Sequence, residues 1–96
     1  MVEPLLRLFV SGQSASSQRA RANLAALQAS QDLPPSWRTE IVDVLTQPAL
    51  AEKAGILATP TLSYEHDGGR RRIVGDLSDA VRVMNFLGLE ARRAES

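Results

Sequence analysis

Leu5 to Val10 form a short apolar run interrupted by one arginine and closed by Ser11-Gly12, the pattern of a buried strand. From Ser14 the pattern changes to an alanine-rich stretch of good helix formers, with Ala20, Leu24 and Leu27 at i, i+4, i+7 spacing. This predicts a helix of about four turns, since such spacing stacks three side chains on one face. The serines between Ser14 and Ser17 are all able to cap it, which leaves open which of them does. Asp32-Leu-Pro-Pro-Ser ends it, because proline disfavours helical geometry in the residue before it.

Arg38 to Leu45 is β-branched and apolar toward its end, a second strand that a helical crossover places parallel to the first. Pro48 suits the first turn of a short second helix with Leu50, Ala51 and Ala54 on its apolar stripe, and Gly55 suits its left-handed stop. Thr61 to Glu65 and Arg70 to Val74 flank His66-Asp67-Gly68-Gly69, a four-residue connection for an antiparallel hairpin. Asp76-Leu-Ser-Asp79 supplies an N-cap candidate, Asp76, and an acidic third position, Asp79, for a third helix, with Leu77, Ala80, Val81, Met84 and Leu87 along one face until Gly88. From Glu90 to Ser96 only alanines are apolar, so a frayed tail is expected after a single domain over residues 1–89.

The resulting order is β-α-β-α-β-β-α, an α/β chain with a four-stranded mixed sheet in the thioredoxin-like arrangement. Thr59-Pro60-Thr61 stands just before the third strand, where thioredoxin-like folds carry a cis-proline loop, so a cis Pro60 is expected. Ninety-six residues suffice for one core, and eleven basic against eleven acidic residues give no general attraction to nucleic acid or to an anionic membrane. No apolar run approaches the ~20 residues of a membrane span, and the N-terminus has no signal-peptide pattern; a cytoplasmic location is expected.

Candidate chemistry is sparse. Thioredoxin-like redox centres place two cysteines at the mouth of the first helix, where the helix N-terminus favours a thiolate. This chain has no cysteine and carries Ser14-Ala-Ser-Ser17 there. A hydroxyl cannot cycle between thiol and disulfide. His66, the sole histidine, falls in a predicted turn beside Asp67 and is read as solvated, without a serine in a nucleophile-elbow pattern. Gly75, Asp76 and Asp79 read as turn and capping residues, lacking the glycine spacing of a nucleotide fingerprint and the lysine of a phosphate loop. Arg70-Arg71-Arg72 is the densest basic run, but strand alternation divides it between two faces. Trp37 is expected to plug the end of the core, the alternative being an exposed anchor for a partner. No catalytic residue, metal site or cofactor is expected.

Four blocks, in order, resemble the KaiB family of circadian clock proteins: Leu8-Phe9-Val10-Ser11-Gly12; Ile41-Val42-Asp43-Val44-Leu45 with Gln47-Pro48-Ala49-Leu50-Ala51-Glu52; Ile56-Leu57-Ala58-Thr59-Pro60-Thr61-Leu62; and Ile73-Val74-Gly75-Asp76-Leu77-Ser78-Asp79. The resemblance runs from about Leu6 to Leu87. It implies a non-enzymatic regulator that binds a KaiC-like hexameric ATPase in a timing or stress signalling system. KaiA-like proteins, a histidine kinase and further copies of the chain are additional partners of that kind of protein. The alternative it implies is a stand-alone sensor or adaptor domain like that of clock histidine kinases.

The family's KaiC-facing surface maps onto Arg38, Glu40, Gln47, Pro48, Glu52, Lys53 and Gly55, with Glu40 and Gly55 standing where clock-type members often carry lysine. The resemblance also implies interconversion between an oligomeric form with a family-specific fold and a monomeric thioredoxin-like form that binds KaiC. Two departures favour the second form. Glu65-His66-Asp67-Gly68-Gly69 replaces a proline-rich segment, and Phe86-Leu87-Gly88 replaces a stretch carrying glycine and aspartate two apart.

Overall fold

In a computed structural model of the chain, which describes residues 3–89, seven elements follow in the expected order. They are β1 (Leu5–Val10), α1 (Ala15–Ala29), β2 (Arg38–Asp43), α2 (Pro48–Lys53), β3 (Thr61–His66), β4 (Gly69–Val74) and α3 (Ala80–Leu87). The sheet order is β2-β1-β3-β4, with β1 and β2 parallel and the other neighbours antiparallel. Both outer strands leave a backbone edge unpaired within the sheet.

Alternation along the strands divides the core in two. Leu6, Leu8 and Val10 of β1, Leu62 and Tyr64 of β3 and Ile73 of β4 face α1 and α3, meeting Ala20, Leu24, Leu27, Val83, Met84 and Leu87. On the opposite side Phe9 and Val42 are covered by Ala51 of α2 and Ala54 just after it, with Val44 and Ile56 at the margin. A two-turn helix cannot cover that side fully. The rest of it carries a charged row in which Arg7 Nε donates to Glu40 at 3.1 Å and Arg7 Nη1 approaches Glu65 at 3.5 Å. Ser63, Arg7's register partner on β3, is buried beneath this row, and its Oγ has no hydrogen-bond partner.

Local chemistry explains where the elements stop. Ser14 caps α1, its side chain accepting from Ser17 N at 3.3 Å. The second strand ends at Asp43 rather than Leu45, because its Oδ1 accepts from Leu45 N at 2.9 Å and from Gly12 N at 3.1 Å. The Asp43 carbonyl then accepts from Gln47 N at 2.9 Å, turning the chain into α2. The hairpin is tighter than the four-residue connection expected, since His66 pairs with Gly69 and only Asp67-Gly68 forms the turn. His66 Nδ1 accepts from Gly68 N at 3.0 Å, using the lone histidine to satisfy a turn amide.

The third helix departs from its expected start and face. Asp79, not Asp76, is its N-cap, accepting from Arg82 N at 3.1 Å, and Leu77 lies before the helix with φ +64°. Starting at Ala80 turns Val83 inward with Met84 and Leu87, while Val81 is 67% exposed. Gly88 closes α3 at φ +75°, the left-handed geometry glycine adopts without a Cβ clash. The expectation of a frayed tail concerns residues 90–96, which lie outside those described.

Candidate partner-binding surface

Arg38 and Glu40 sit on the edge strand β2 and, by alternation, on the side of the sheet that carries α2. Both are exposed. Gln47 is the N-cap residue of α2, without a side-chain capping bond, and Pro48 is its first residue, where a missing N–H costs nothing. Glu52 and Lys53 occupy the last turn, also exposed, and Lys53 complements the negative end of the helix. Gly55 follows at φ +72°. The structure therefore brings Gln47, Pro48, Glu52, Lys53 and Gly55 together around one short helix. Arg38 and Glu40 lie apart from them, toward the start of β2. Glu40 is engaged by Arg7, which in sequence is only the one charge interrupting an apolar strand.

Near this strip lie exposed apolar side chains: Leu57 is 99% exposed, and Val74, Leu45 and Leu50 are exposed as well. Gly55, Ile56, Leu57, Ala58, Thr61, Arg72 and Val74 line a shallow, mainly apolar groove between the α2–β3 loop and the end of β4.

The four structural positions are placed as follows. Thr59–Pro60 is a cis peptide bond, and the Pro60 carbonyl accepts from Gly75 N at 2.9 Å, joining the start of β3 to the end of β4. Gly75 has φ +133°. Asp76 accepts from Arg19 Nε at 2.9 Å and from Ser78 N at 3.0 Å, while its carbonyl accepts from Asn23, so it ties α1 to the β4–α3 turn. The hydrogen bond from Arg19, with those from Ser78, holds the Asp76 carboxyl at about 2, below its ordinary 3.8.

A depressed carboxylate stabilises the fold above its unfolded pKa, and that contribution is lost as pH falls toward the folded value. Asp76→Asn is accordingly expected to flatten the decline in stability between about pH 4 and about pH 2. Urea midpoints measured across that range check it; an unchanged slope would show that the carboxylate contributes nothing.

The mouth of α1 carries serines and no thiol. Ser17 is buried and its Oγ accepts from Ser11 N at 2.9 Å, which fixes the β1–α1 turn. Among the described residues no three His, Cys, Asp or Glu side chains converge as a metal site would require, and no helix is long and apolar enough to cross a membrane. The three arginines of β4 divide as alternation demands: Arg71 stacks over Tyr64 and Phe86, whereas Arg72 turns to the α2 side. Trp37 is half-buried and stacks on Tyr64, ring centroids 5.3 Å apart, so it closes the end of the larger core.

A four-stranded sheet with a cis-proline loop and a cysteine-free first helix defines a thioredoxin-like protein without a thiol centre. Solved thioredoxins bear out the architecture: mitochondrial thioredoxin 3 of Saccharomyces cerevisiae superposes with a TM-score of 0.70 at 22% identity, covering 93% of this chain and 78% of that one. The family model of the KaiB domain matches residues 7–89, and the chain belongs to the KaiB family. Circadian clock protein KaiB3 of Synechocystis is 41% identical over 86 residues, 90% of this chain and 81% of the relative. A circadian clock oscillator protein KaiB of Synechococcus is 42% identical over 85 residues, 88% and 76% of the respective chains. The N-terminal domain of SasA from Synechococcus elongatus superposes with a TM-score of 0.68 at 26% identity, covering 91% of this chain and 85% of that one.

Proposed function

We propose that this chain is a non-enzymatic, cytoplasmic regulator that binds a KaiC-like hexameric ATPase through α2 and the β2 edge. The observation that carries the reading is the KaiB-family match over residues 7–89, together with the exposed strip that Gln47, Pro48, Glu52, Lys53 and Gly55 form on one short helix. Arg38 and Glu40, exposed toward the start of β2, would make a separate contact on the same side of the sheet. The ion pair between Glu40 and Arg7 gives the edge a different charge pattern from clock-type members, which suits a divergent ATPase partner.

Lys53→Glu reverses the one basic residue at the exposed end of α2 and keeps a good helix former. It is expected to weaken association with the host's KaiC-like ATPase by about tenfold or more, the change that losing an interfacial charge pair brings. Binding isotherms in ATP and in ADP, with circular dichroism to check the fold, measure it. Equal affinity for variant and wild type would remove α2 from the interface.

A second reading, a stand-alone sensor or adaptor domain like that of clock histidine kinases, is favoured by the match to the SasA N-terminal domain. Its mark is binding without dependence on the nucleotide. Under either reading the chain rests in the thioredoxin-like form, a conclusion supported by the two-residue hairpin turn and by Phe86, which packs on Tyr64 under Arg71.

A further inference from the structure

Arg72 leaves β4 toward α2 and donates Nη1 to the Ala54 carbonyl at 2.9 Å and to the Gly55 carbonyl at 2.5 Å. Ala54 is the C-cap of a six-residue helix, and the last carbonyls of a helix have no partner inside it and carry partial negative charge. A guanidinium answers both needs, with several donors in a planar fork and a charge that does not titrate. A helix this short gains little from its own hydrogen bonds and depends on what holds it from outside.

A second observation points to the same contact. Gly55 turns the chain at φ +72°, and a Cβ there would lie 2.9 Å from Arg72 Nη1. The guanidinium thus occupies the space that the missing side chain leaves. Beyond this point Ile56 N donates to the Ala51 carbonyl at 2.9 Å and Ile56 packs on the Phe9 cluster, after which Leu57 stands almost wholly in solvent.

We infer that Arg72 is a positioning residue: it clamps the C-terminal end of α2 from the hairpin and sets the angle at which Lys53, Gly55 and Leu57 meet a partner. The inference rests on the reading that α2 is the binding surface, but its structural half stands without any partner. It also makes the hairpin part of the recognition apparatus, although Arg72 lies about 20 residues beyond α2 in sequence.

The test uses the full chain as Arg72→Met, Arg72→Lys, Gly55→Ala and the Arg72→Met/Gly55→Ala double variant. Amide hydrogen exchange is followed at residues 54–56, with the β1 and β3 amides as controls, and affinity for the KaiC-like ATPase is measured in parallel. Arg72→Met is expected to speed exchange at 54–56 and to weaken binding, each by about tenfold, with the controls unchanged; lysine restores part of both. Gly55→Ala should cost less in the Arg72→Met background than alone, because the obstruction has gone. Unchanged exchange in Arg72→Met, loss spread equally to β1 and β3, or additive single variants would overturn the clamp. Faster local exchange with unaltered affinity would overturn the presenting role. If wild type itself fails to bind while the exchange response is intact, the partner reading falls and the clamp stands.

Discussion

Phe9→Ala is expected to lower stability by about 3–5 kcal/mol and to abolish the α2 surface before the rest of the sheet gives way. Phe9 is fully buried and is the largest side chain of the smaller core, where it meets Val42, Ala51 and Ala54. Its removal leaves the two alanines with little to pack on. The opposite core has fifteen buried residues, with two longer helices packed on the sheet, so it tolerates the loss better. Urea unfolding followed at Trp37, which packs on the opposite core, should show a lowered midpoint, whereas exchange at α2 amides should already be fast without denaturant. Slow α2 exchange in the variant would mean that the helix is held by something other than Phe9.

Tyr64→Ala is expected to cost about 3 kcal/mol, through loss of aromatic packing rather than of any single bond. Tyr64 is the hub of the far end of the sheet: Trp37 stacks on it, His66 tilts against it at 4.7 Å, Phe86 meets it edge-on, and Arg71 lies 5.3 Å over its ring. The cluster ties the entry to β2, the hairpin and the last turn of α3 together. If the chain rests in the thioredoxin-like form because of these contacts, the variant should release α3 first. Backbone chemical shifts then lose helix over residues 80–87 while β1 and β3 stay in place. A shift pattern identical to wild type would show that Phe86 and the hairpin turn do not hold the resting form.

Element types and order were legible in the sequence because apolar spacing switches period cleanly between segments, as at Val10 and Ala20. Boundaries were legible only where a residue acts on its own backbone through a conformational rule, as Pro48, Gly55 and Gly88 do; α1 instead stops at Ala29, ahead of the Asp32-Leu-Pro-Pro segment expected to end it, because Gln31 turns left-handed at φ +63° and Asp32 N donates back to the Leu27 carbonyl. Asp43 and Asp79 also depart from that rule. Each ends or begins an element by bending its carboxylate to a nearby amide, and an aspartate in sequence does not show which amide it will meet. A cap at Asp76 starts α3 one turn early and turns Val81 inward, whereas the cap at Asp79 turns Val83 inward. The candidate surface was legible as a family pattern on α2. Arg72 and Arg7 were not, since in sequence they are charges on strands, and their targets, two helix-end carbonyls and two carboxylates, become neighbours only through sheet register.

The central claim is that this thioredoxin-like chain acts by associating with a hexameric ATPase and not by chemistry of its own. Size-exclusion chromatography with light scattering, of the chain alone and mixed with its host's KaiC-like ATPase in ATP and in ADP, tests it most directly. The account predicts co-elution that depends on the nucleotide, with a mass that gives the stoichiometry on the ring. Separate elution in both nucleotides, with a folded chain, would contradict it.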